Sequence, residues 1–248
     1  MVFSDSHCHL VGQKPERLAQ VLQDAKRKGV NIMVSMGIDL ESSAGTIRLA
    51  QSHREIRAAV GIHPWNAIRP TGEVRQKLNE LAGQEGVVTI GEVGLDYART
   101  PETREIQQEL LVYELSLARE TGLPLSIHCR EAHQDMVDIL RRESGSGIKG
   151  VIHGFNGDRH TLDDWLALGL YISVGRRGIL LDELPAVQAA IGEIPLDRLL
   201  TETDAAGPTV SPTDVVIVAE KLAALRGMTT EEIANTTTAN LKRLLKRS

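Results

Sequence analysis

The chain alternates short apolar runs with longer amphipathic runs from end to end. Eight of the apolar runs have the length and flanking residues of β-strands. They span residues 2–9, 30–36, 56–62, 87–92, 123–128, 148–153, 170–175 and 198–204. The intervening stretches have helical spacing, as in residues 15–28, where Pro15 precedes the first turn and Gly29 ends the helix, and in residues 101–122. Alternation of strand and helix predicts a parallel sheet.

Eight strand–helix repeats in 248 residues match the size of a closed α/β (β/α)8 TIM barrel. An open doubly wound sheet is the alternative, and the periodicity alone does not separate the two. The barrel is favoured because no strand-to-helix turn carries a G-x-G-x-x-G fingerprint. The last segment, residues 229–247, begins with Thr229 and Glu232 in capping-box spacing and predicts a closing helix. With no linker or composition break, we expect one domain over residues 1–248.

Composition narrows the function classes. A net charge of −5 argues against a surface built for broad attraction to nucleic acid, although it leaves room for a small basic groove. The two cysteines, Cys8 and Cys129, are too few for a disulfide framework. No apolar run approaches the ~20 residues of a membrane helix, and the first residues lack a signal-peptide pattern. We therefore expect a cytoplasmic protein without a membrane partner.

Polar residues cluster where the predicted strands end. In a parallel barrel these carboxyl ends converge on one mouth, where active sites are found. The residues are His7, His9, His63, Glu92, His128, His153 and Asp204. A lone histidine there is more often an ordinary hydrogen-bonding residue. Five of the eight histidines together with two carboxylates are costly to bury without a partner, and a metal supplies that partner.

The spacing of these residues predicts two metal ions. His7 and His9 lie two positions apart, so both point to one face of a strand while Cys8 points to the other. Imidazole and carboxylate ligands suit divalent cations such as zinc or manganese, and magnesium if water completes its shell. Six ligands exceed the needs of one tetrahedral zinc, so we expect Glu92 to bridge two ions. The predicted sets are His7, His9, Glu92 and Asp204 for one ion, and Glu92, His128 and His153 for the other.

A second layer of carboxylates lies deeper on two strands. Asp5 precedes His7 by two residues, and Glu202 precedes Asp204 by two. Each could accept the second ring N–H of a ligand histidine. Each could equally be a buried polar residue bonded to backbone.

The sequence resembles the TatD family of metal-dependent hydrolases, a TIM-barrel branch of the amidohydrolase superfamily. The motifs that carry the resemblance are "DSHCHL", "GIHPW", "GEVGLDY", "PLSIHCREA", "HGFNG" and "TETDA", in that order over residues 5–205, followed by "ANLKRLL". The resemblance implies the same six metal ligands and a deoxyribonuclease activity, with exonucleases among the family. Ala206 departs from the family pattern, which commonly has proline after "ETDA".

The expected function is a phosphodiesterase that cleaves DNA, from an end, with a water activated by two metals. Asp204 is the expected base, and Glu92 completes the catalytic pair. His63, Arg130 and Trp65 are the predicted substrate contacts, Arg130 through phosphate and Trp65 through base stacking. Three further arginines lie on loops predicted at the mouth, namely Arg99, Arg176 and Arg177.

Two other functions remain open on the sequence alone. Hydrolysis of a small amide, lactone or ester would use the same two-metal site, because this fold hosts many substrates. A non-catalytic metal-binding protein is the third hypothesis. Oligomeric state is open, and a monomer is compatible with the sequence.

Overall fold

Eight parallel strands lie side by side in chain order, each hydrogen-bonded to the next. The computed structural model describes residues 1–143, 147–180 and 184–246. The strands are β1 (Phe3–Cys8), β2 (Val30–Ser35), β3 (Ile56–Val60), β4 (Val87–Asp96), β5 (Leu125–Arg130), β6 (Gly150–Ile152), β7 (Tyr171–Val174) and β8 (Leu199–Thr201). The predicted eight strands and their order are confirmed.

Helices follow every strand in the described residues. They are α1 (Pro15–Lys28), α2 (Leu40–Ser52), α3 (Gly72–Ala82), α4 (Arg104–Thr121), α5 (His133–Glu143), α6 (Arg159–Ala167), α7 (Arg176–Leu180), α8 (Pro185–Glu193), α9 (Val215–Arg226) and α10 (Thr230–Leu245). Short 3-10 turns span Pro64–Asn66, Pro101–Thr103 and Pro212–Asp214. The helix predicted over residues 101–122 therefore begins later, since Pro101 starts a 3-10 turn and the α-helix starts at Arg104.

The sheet closes between its first and last strands. Cys8 pairs with Ala205 in a parallel bridge just past β8. The backbone N–H of His9 donates to Ala205 O at 2.9 Å, and that of Asp204 donates to His7 O at 2.9 Å. This closure confirms the (β/α)8 barrel and excludes the open sheet.

The last helix covers the amino-terminal end of the barrel. Its capping box forms as predicted, with Thr229 and Glu232 bonded reciprocally. Asn240 donates to Leu199 O at 2.9 Å, and Thr238 donates to Val2 O at 3.1 Å. Leu241 joins strand residues in a small apolar cluster that is separate from the larger strand–helix core. The opposite end of the barrel is left as the mouth.

Register shifts alter the strands that carry the motifs. Ile90 and Val93 of β4 are three residues apart, whereas their partners on β5, Leu125 and Ile127, are two apart. β4 does not end at Glu92, as predicted, but continues past this bulge to Asp96. β1 has a similar shift between Asp5 and Cys8. A bulge inserts one residue and re-aims the side chains beside it, so simple alternation fails at these two places.

Candidate metal centre

Glu92 is the hub of the barrel mouth. Its side chain is buried, and its two oxygens face different histidines. Oε2 lies 3.2 Å from His7 Nε2 and 3.5 Å from His9 Nε2. The contacts of Oε1 are His153 Nε2 at 2.9 Å, His128 Nδ1 at 3.1 Å and His63 Nε2 at 3.2 Å. One carboxylate thus touches all five histidines of the mouth.

The backbone around Glu92 requires glycine. Gly94 has φ of 143°, and a Cβ there would fall 1.9 Å from the carbonyl oxygen of His128. A Cβ on Gly91 would fall 2.7 Å from the Cβ of Ser126. The bulged β4 can therefore approach β5 closely only because both positions lack side chains. That close approach brings Glu92 and His128 together.

Asp204 completes the side of the site near β1. Its Oδ1 lies 3.3 Å from His9 Nε2 and 3.9 Å from His7 Nε2. The side chain is 48% exposed, unlike that of Glu92, so it faces the open mouth. Its backbone has φ of 49°, an uncommon value for a residue other than glycine, and the hydrogen bond from its N–H to His7 O holds it there.

Carboxylates lie beside the far ring nitrogens of two histidines, His128 and His153. Asp96 Oδ2 lies 3.0 Å from His128 Nε2, so the neutral ring carries its proton on Nε2 and a lone pair on Nδ1. Glu202 lies 3.4 Å from His153 Nδ1, which favours a lone pair on Nε2. These two lone pairs, His128 Nδ1 and His153 Nε2, are 3.1 Å apart.

This arrangement fits a bound cation. Two facing lone pairs repel each other unless a metal or a proton lies between them. His7 Nε2 is also buried without a well-aligned hydrogen bond among the described residues. The donor atoms form three overlapping groups within 4.8 Å, namely His7, His9 and Asp204; His7, Glu92 and His153; and His63, Glu92 and His128. All six residues predicted as ligands are therefore brought together.

His63 differs from the other histidines of the mouth. Its Nδ1 accepts the backbone N–H of Trp65 at 3.1 Å, so the neutral ring carries its proton on Nε2. That proton points at Glu92 Oε1, 3.2 Å away. His63 thus contacts Glu92 as a donor, and it is buried beneath the mouth rather than exposed to a substrate.

The electrostatics of the cluster keep its two carboxylates ionised. Burial would raise the pKa of Glu92, but His7, His153 and His63 hold it well below its usual range. Burial likewise opposes ionisation of Asp204, yet the bond from His9 and the nearby histidines lower its pKa to about 2. Burial and His153 lower the pKa of His7. Burial would also lower the pKa of His9, His128 and His153, but the carboxylates beside them raise it. The carboxylates are thus in the state that binds a metal, and a bound cation would displace protons from these three histidines.

The two deeper carboxylates have different partners. Asp5 accepts from the backbone N–H of His7 at 3.1 Å and of Thr203 at 3.0 Å, and from the Thr203 hydroxyl at 2.5 Å. His7 Nδ1 instead contacts Ser126 Oγ at 3.2 Å. Glu202 lies beside the His153 ring and also accepts the backbone N–H of Gly154 at 2.7 Å. Asp5 therefore braces the β1–β8 junction, whereas Glu202 faces a candidate ligand.

Two of the three predicted substrate contacts, Trp65 and Arg130, lie around the rim, whereas His63 is buried. Trp65 is 40% exposed, and the guanidinium of Arg99 stacks over its ring at 3.8 Å. Arg130 ends β5 and is exposed, as is Arg177. Arg176 is paired with Asp214 at 2.8 Å, so it is held away from a free rim position.

Asp96 is the site residue that the sequence interpretation missed. It is fully buried at the end of β4, where it contacts His128 and accepts from the Trp65 indole N–H at 2.6 Å. Its pKa is held well below its usual range, because the bonds from His128, Trp65 and Arg99 outweigh burial. It was missed because β4 was predicted to end at Glu92; a strand extended to "GLD" would have placed Asp96 at the mouth.

The family model described as TatD related DNase matches residues 4–246 of the chain. The chain belongs to this family. The resemblance inferred from the motifs is confirmed.

Relatives of this TatD-family chain match most of its length. The uncharacterized metal-dependent hydrolase YabD of Bacillus subtilis (strain 168) is 35% identical over 251 residues, 98% of this chain and 98% of the relative. A protein named 3'-5' ssDNA/RNA exonuclease TatD, from Edwardsiella piscicida, is 37% identical over 207 residues, 82% of this chain and 78% of the relative. The crystal structure of YJJV, a TatD homolog from Escherichia coli K12, superposes with a TM-score of 0.87 at 29% identity, covering 98% and 97% of the two chains.

The TatD-family chain is a metal-dependent hydrolase on a TIM barrel. Within the described ranges, none of its helices combines the length and apolar character needed to cross a bilayer.

Proposed function

We propose that this TatD-family hydrolase is a two-metal exonuclease that removes nucleotides from the 3′ end of single-stranded DNA or RNA. The observation that carries the proposal is Glu92, whose two oxygens face two donor sets, one of His7, His9 and Asp204 and one of His128 and His153. The names of the exonuclease relatives support the substrate class and the polarity.

The predicted ligands would bind the metals, and one of them, Asp204, would also accept a proton. Two divalent cations, when bound, would lower the pKa of a water and offset negative charge on a phosphoryl oxygen. Glu92 would be shared between them, and the histidines would fill the remaining positions. Asp204 Oδ1 is ionised and half exposed, so it is placed to take the proton of the attacking water.

The residues of the rim suit the end of a nucleic-acid strand rather than a long single-stranded segment. Trp65 is 40% exposed although Arg99 stacks on its ring, so one base can stack on the part of the indole that Arg99 leaves open. Arg130 and Arg99 supply cations at the same rim, suited to phosphate. Aromatic residues make up only 3% of the chain, which is few for an extended stacking platform. A short single-stranded end fits this surface.

The test uses single-stranded DNA labelled at either end. With magnesium, manganese or zinc, we expect a 5′-labelled strand to give a descending ladder and a 3′-labelled strand to release its terminal nucleotide at once. The Asp204→Asn variant should give neither product, which excludes a contaminating nuclease. RNA of the same sequence tests the second substrate.

Three outcomes contradict the proposal in different ways. If the 5′-terminal nucleotide is released first, the polarity of cleavage is the opposite of the one proposed. No cleavage with any metal, together with hydrolysis of a lactone, amide or ester, would favour the amidohydrolase alternative. Metal binding without hydrolysis of any of these substrates would favour a non-catalytic protein.

A further inference from the structure

We propose that Asp96 is a positioning residue that fixes the ring of His128 with Nδ1 directed at the metal centre. The proposal rests on the metal arrangement proposed above and concerns how one of its ligands is held. Within the part of the chain that the structure describes, the Asp96 carboxylate contacts His128, Trp65 and Arg99 but neither Glu92 nor Asp204, so its effect on the centre passes through His128.

The carboxylate of Asp96 receives three N–H groups. Oδ2 lies 3.0 Å from His128 Nε2 and 2.6 Å from the indole Nε1 of Trp65. Oδ1 accepts the backbone N–H of Arg99 at 2.9 Å. An ionised carboxylate can only accept hydrogen bonds, so the proton of the neutral His128 ring must sit on Nε2. The lone pair on Nδ1 then faces Glu92 Oε1, 3.1 Å away.

Asp96 is itself held from two sides. Its backbone N–H donates to Gln107 Oε1 at 2.8 Å, and its carbonyl accepts from Gln107 Nε2 at 3.2 Å. On β5 its register partner is Arg130, two residues beyond His128. The helix α4 and the strand pairing therefore fix Asp96 before any metal binds. A buried carboxylate held this rigidly sets a ring orientation, because a histidine bound to metal usually donates its other N–H to such a group.

Asparagine cannot replace this carboxylate without a conflict. Its amide has one acceptor and one donor end, whereas the site presents donors to both oxygens. If the amide NH₂ faces Arg99 N, two donors meet there. If it faces His128, it favours the tautomer with the proton on Nδ1, which cannot bind a metal through that atom. Asp96→Asn thus tests the tautomer with almost no change in size.

The experiment measures zinc affinity and the His128 tautomer together. Zinc affinity is measured by competition with a chelating dye, in wild type, Asp96→Asn and the control Asp135→Asn. Asp135 is another carboxylate near the mouth, bonded to the Tyr97 hydroxyl at 2.7 Å and to Arg104 at 2.8 Å. Its replacement removes the same charge without touching a histidine of the centre. The tautomer is measured from ¹⁵N shifts of histidine-labelled protein, with His128 assigned by its loss in His128→Gln.

We expect Asp96→Asn to weaken one of the two zinc sites by about 10–100-fold, the usual cost of losing such a partner. Asp135→Asn should bind both ions as wild type does. Wild type should show a proton on His128 Nε2, and Asp96→Asn should lose that signature. Equal zinc affinities in all three proteins, or an unchanged His128 tautomer in Asp96→Asn, would overturn the proposal.

If Asp96→Asn does not fold, the His128 tautomer of wild type still tests the proposal. A proton on Nδ1 of His128 in metal-free wild type, at a pH where the ring is neutral, contradicts it directly. If only the exonuclease proposal fails, no nucleic acid is cleaved, but zinc affinity and the His128 tautomer still change in Asp96→Asn.

Discussion

Glu92 Oε2 lies 3.2 Å from His7 Nε2, and both side chains are buried. The other oxygen of the same carboxylate contacts histidines from β5 and from the end of β6. Strand β4 thereby places one acidic group between ligands from opposite sides of the mouth.

The first prediction concerns metal content. Glu92→Gln should lower the affinity for both ions at least about tenfold, because a neutral amide replaces a carboxylate that faces both donor sets. His9→Ala should chiefly lower one, since among the carboxylates His9 contacts Asp204 and Glu92 Oε2 but not Oε1. Metal per protein is measured by mass spectrometry after desalting, with the exposed Glu85→Gln as control. Two full equivalents in Glu92→Gln would exclude a shared ligand.

The second prediction separates catalysis from binding at Asp204. Asp204→Asn should reduce kcat by about 10²–10⁴-fold, the usual contribution of a general base. Metal content should fall less than activity, because His7 and His9 remain. Single-turnover rates and metal content are measured on the same preparation. A kcat close to that of wild type would remove Asp204 as the proton acceptor.

The third prediction concerns the rim. Trp65→Ala should weaken binding of a single-stranded end by about 1–3 kcal/mol, the value of one stacked base. The effect should appear mainly in KM. Trp65→Phe keeps a flat ring and should recover most of the loss, although it lacks the N–H donated to Asp96. Equal KM values for wild type and Trp65→Ala would show that no nucleobase of the substrate stacks on Trp65.

The fourth prediction concerns stability and Glu114. This side chain is fully buried on α4, and it accepts the backbone N–H of Ile62 at 2.8 Å while its second oxygen has no hydrogen bond among the described residues. Burial raises the pKa of Glu114 well above its usual value, which the bond from Ile62 only partly offsets.

The sign of the effect on stability follows from this shift. The folded state holds the proton more tightly than the unfolded state, whose pKa is about 4.3. The free energy of unfolding is therefore highest below that pH, and it falls as the pH rises towards the pKa of Glu114 in the folded state. Glu114→Gln should remove the loss, so its free energy of unfolding should exceed that of wild type by a margin that grows with pH.

Urea denaturation of metal-free protein at several pH values measures this margin. Metal-free protein is needed because bound ions would stabilise both forms. Glu85→Gln is the matched control, because Glu85 is exposed. Parallel curves for wild type and Glu114→Gln would show that Glu114 is not the source of the pH dependence.

The barrel could be predicted because strand and helix periods alternate without interruption. The six candidate ligands could be predicted because each falls in, or within three residues of, a strand that ends at one mouth. Both inferences use only local periodicity and the convergence of parallel strands.

What could not be predicted depends on bulges and turns. β4 continues past its bulge to Asp96, whereas the sequence predicts that it ends at Glu92, so the sequence gives Asp96 no role. For Asp5 the sequence left two roles open, a partner for a histidine ring or a buried residue bonded to backbone, and only the structure shows the bonds to backbone near β8. His63 lies beyond β3, and only the turn at Pro64 directs its ring back to Glu92. Bulges and turns are set by close backbone contacts, which a period of two along a strand does not encode.

The closing helix α10 bonds to the backbone beside β1 and β8 at the end of the barrel away from the metal centre. The hydrogen bonds of α10 and the predicted substrate contacts thus occupy different ends of the molecule. Mutations in the rim loops can change what the enzyme accepts while leaving the packing of α10 on the barrel intact. Evolution, or a designer, can therefore diversify the specificity of this scaffold at little cost in folding.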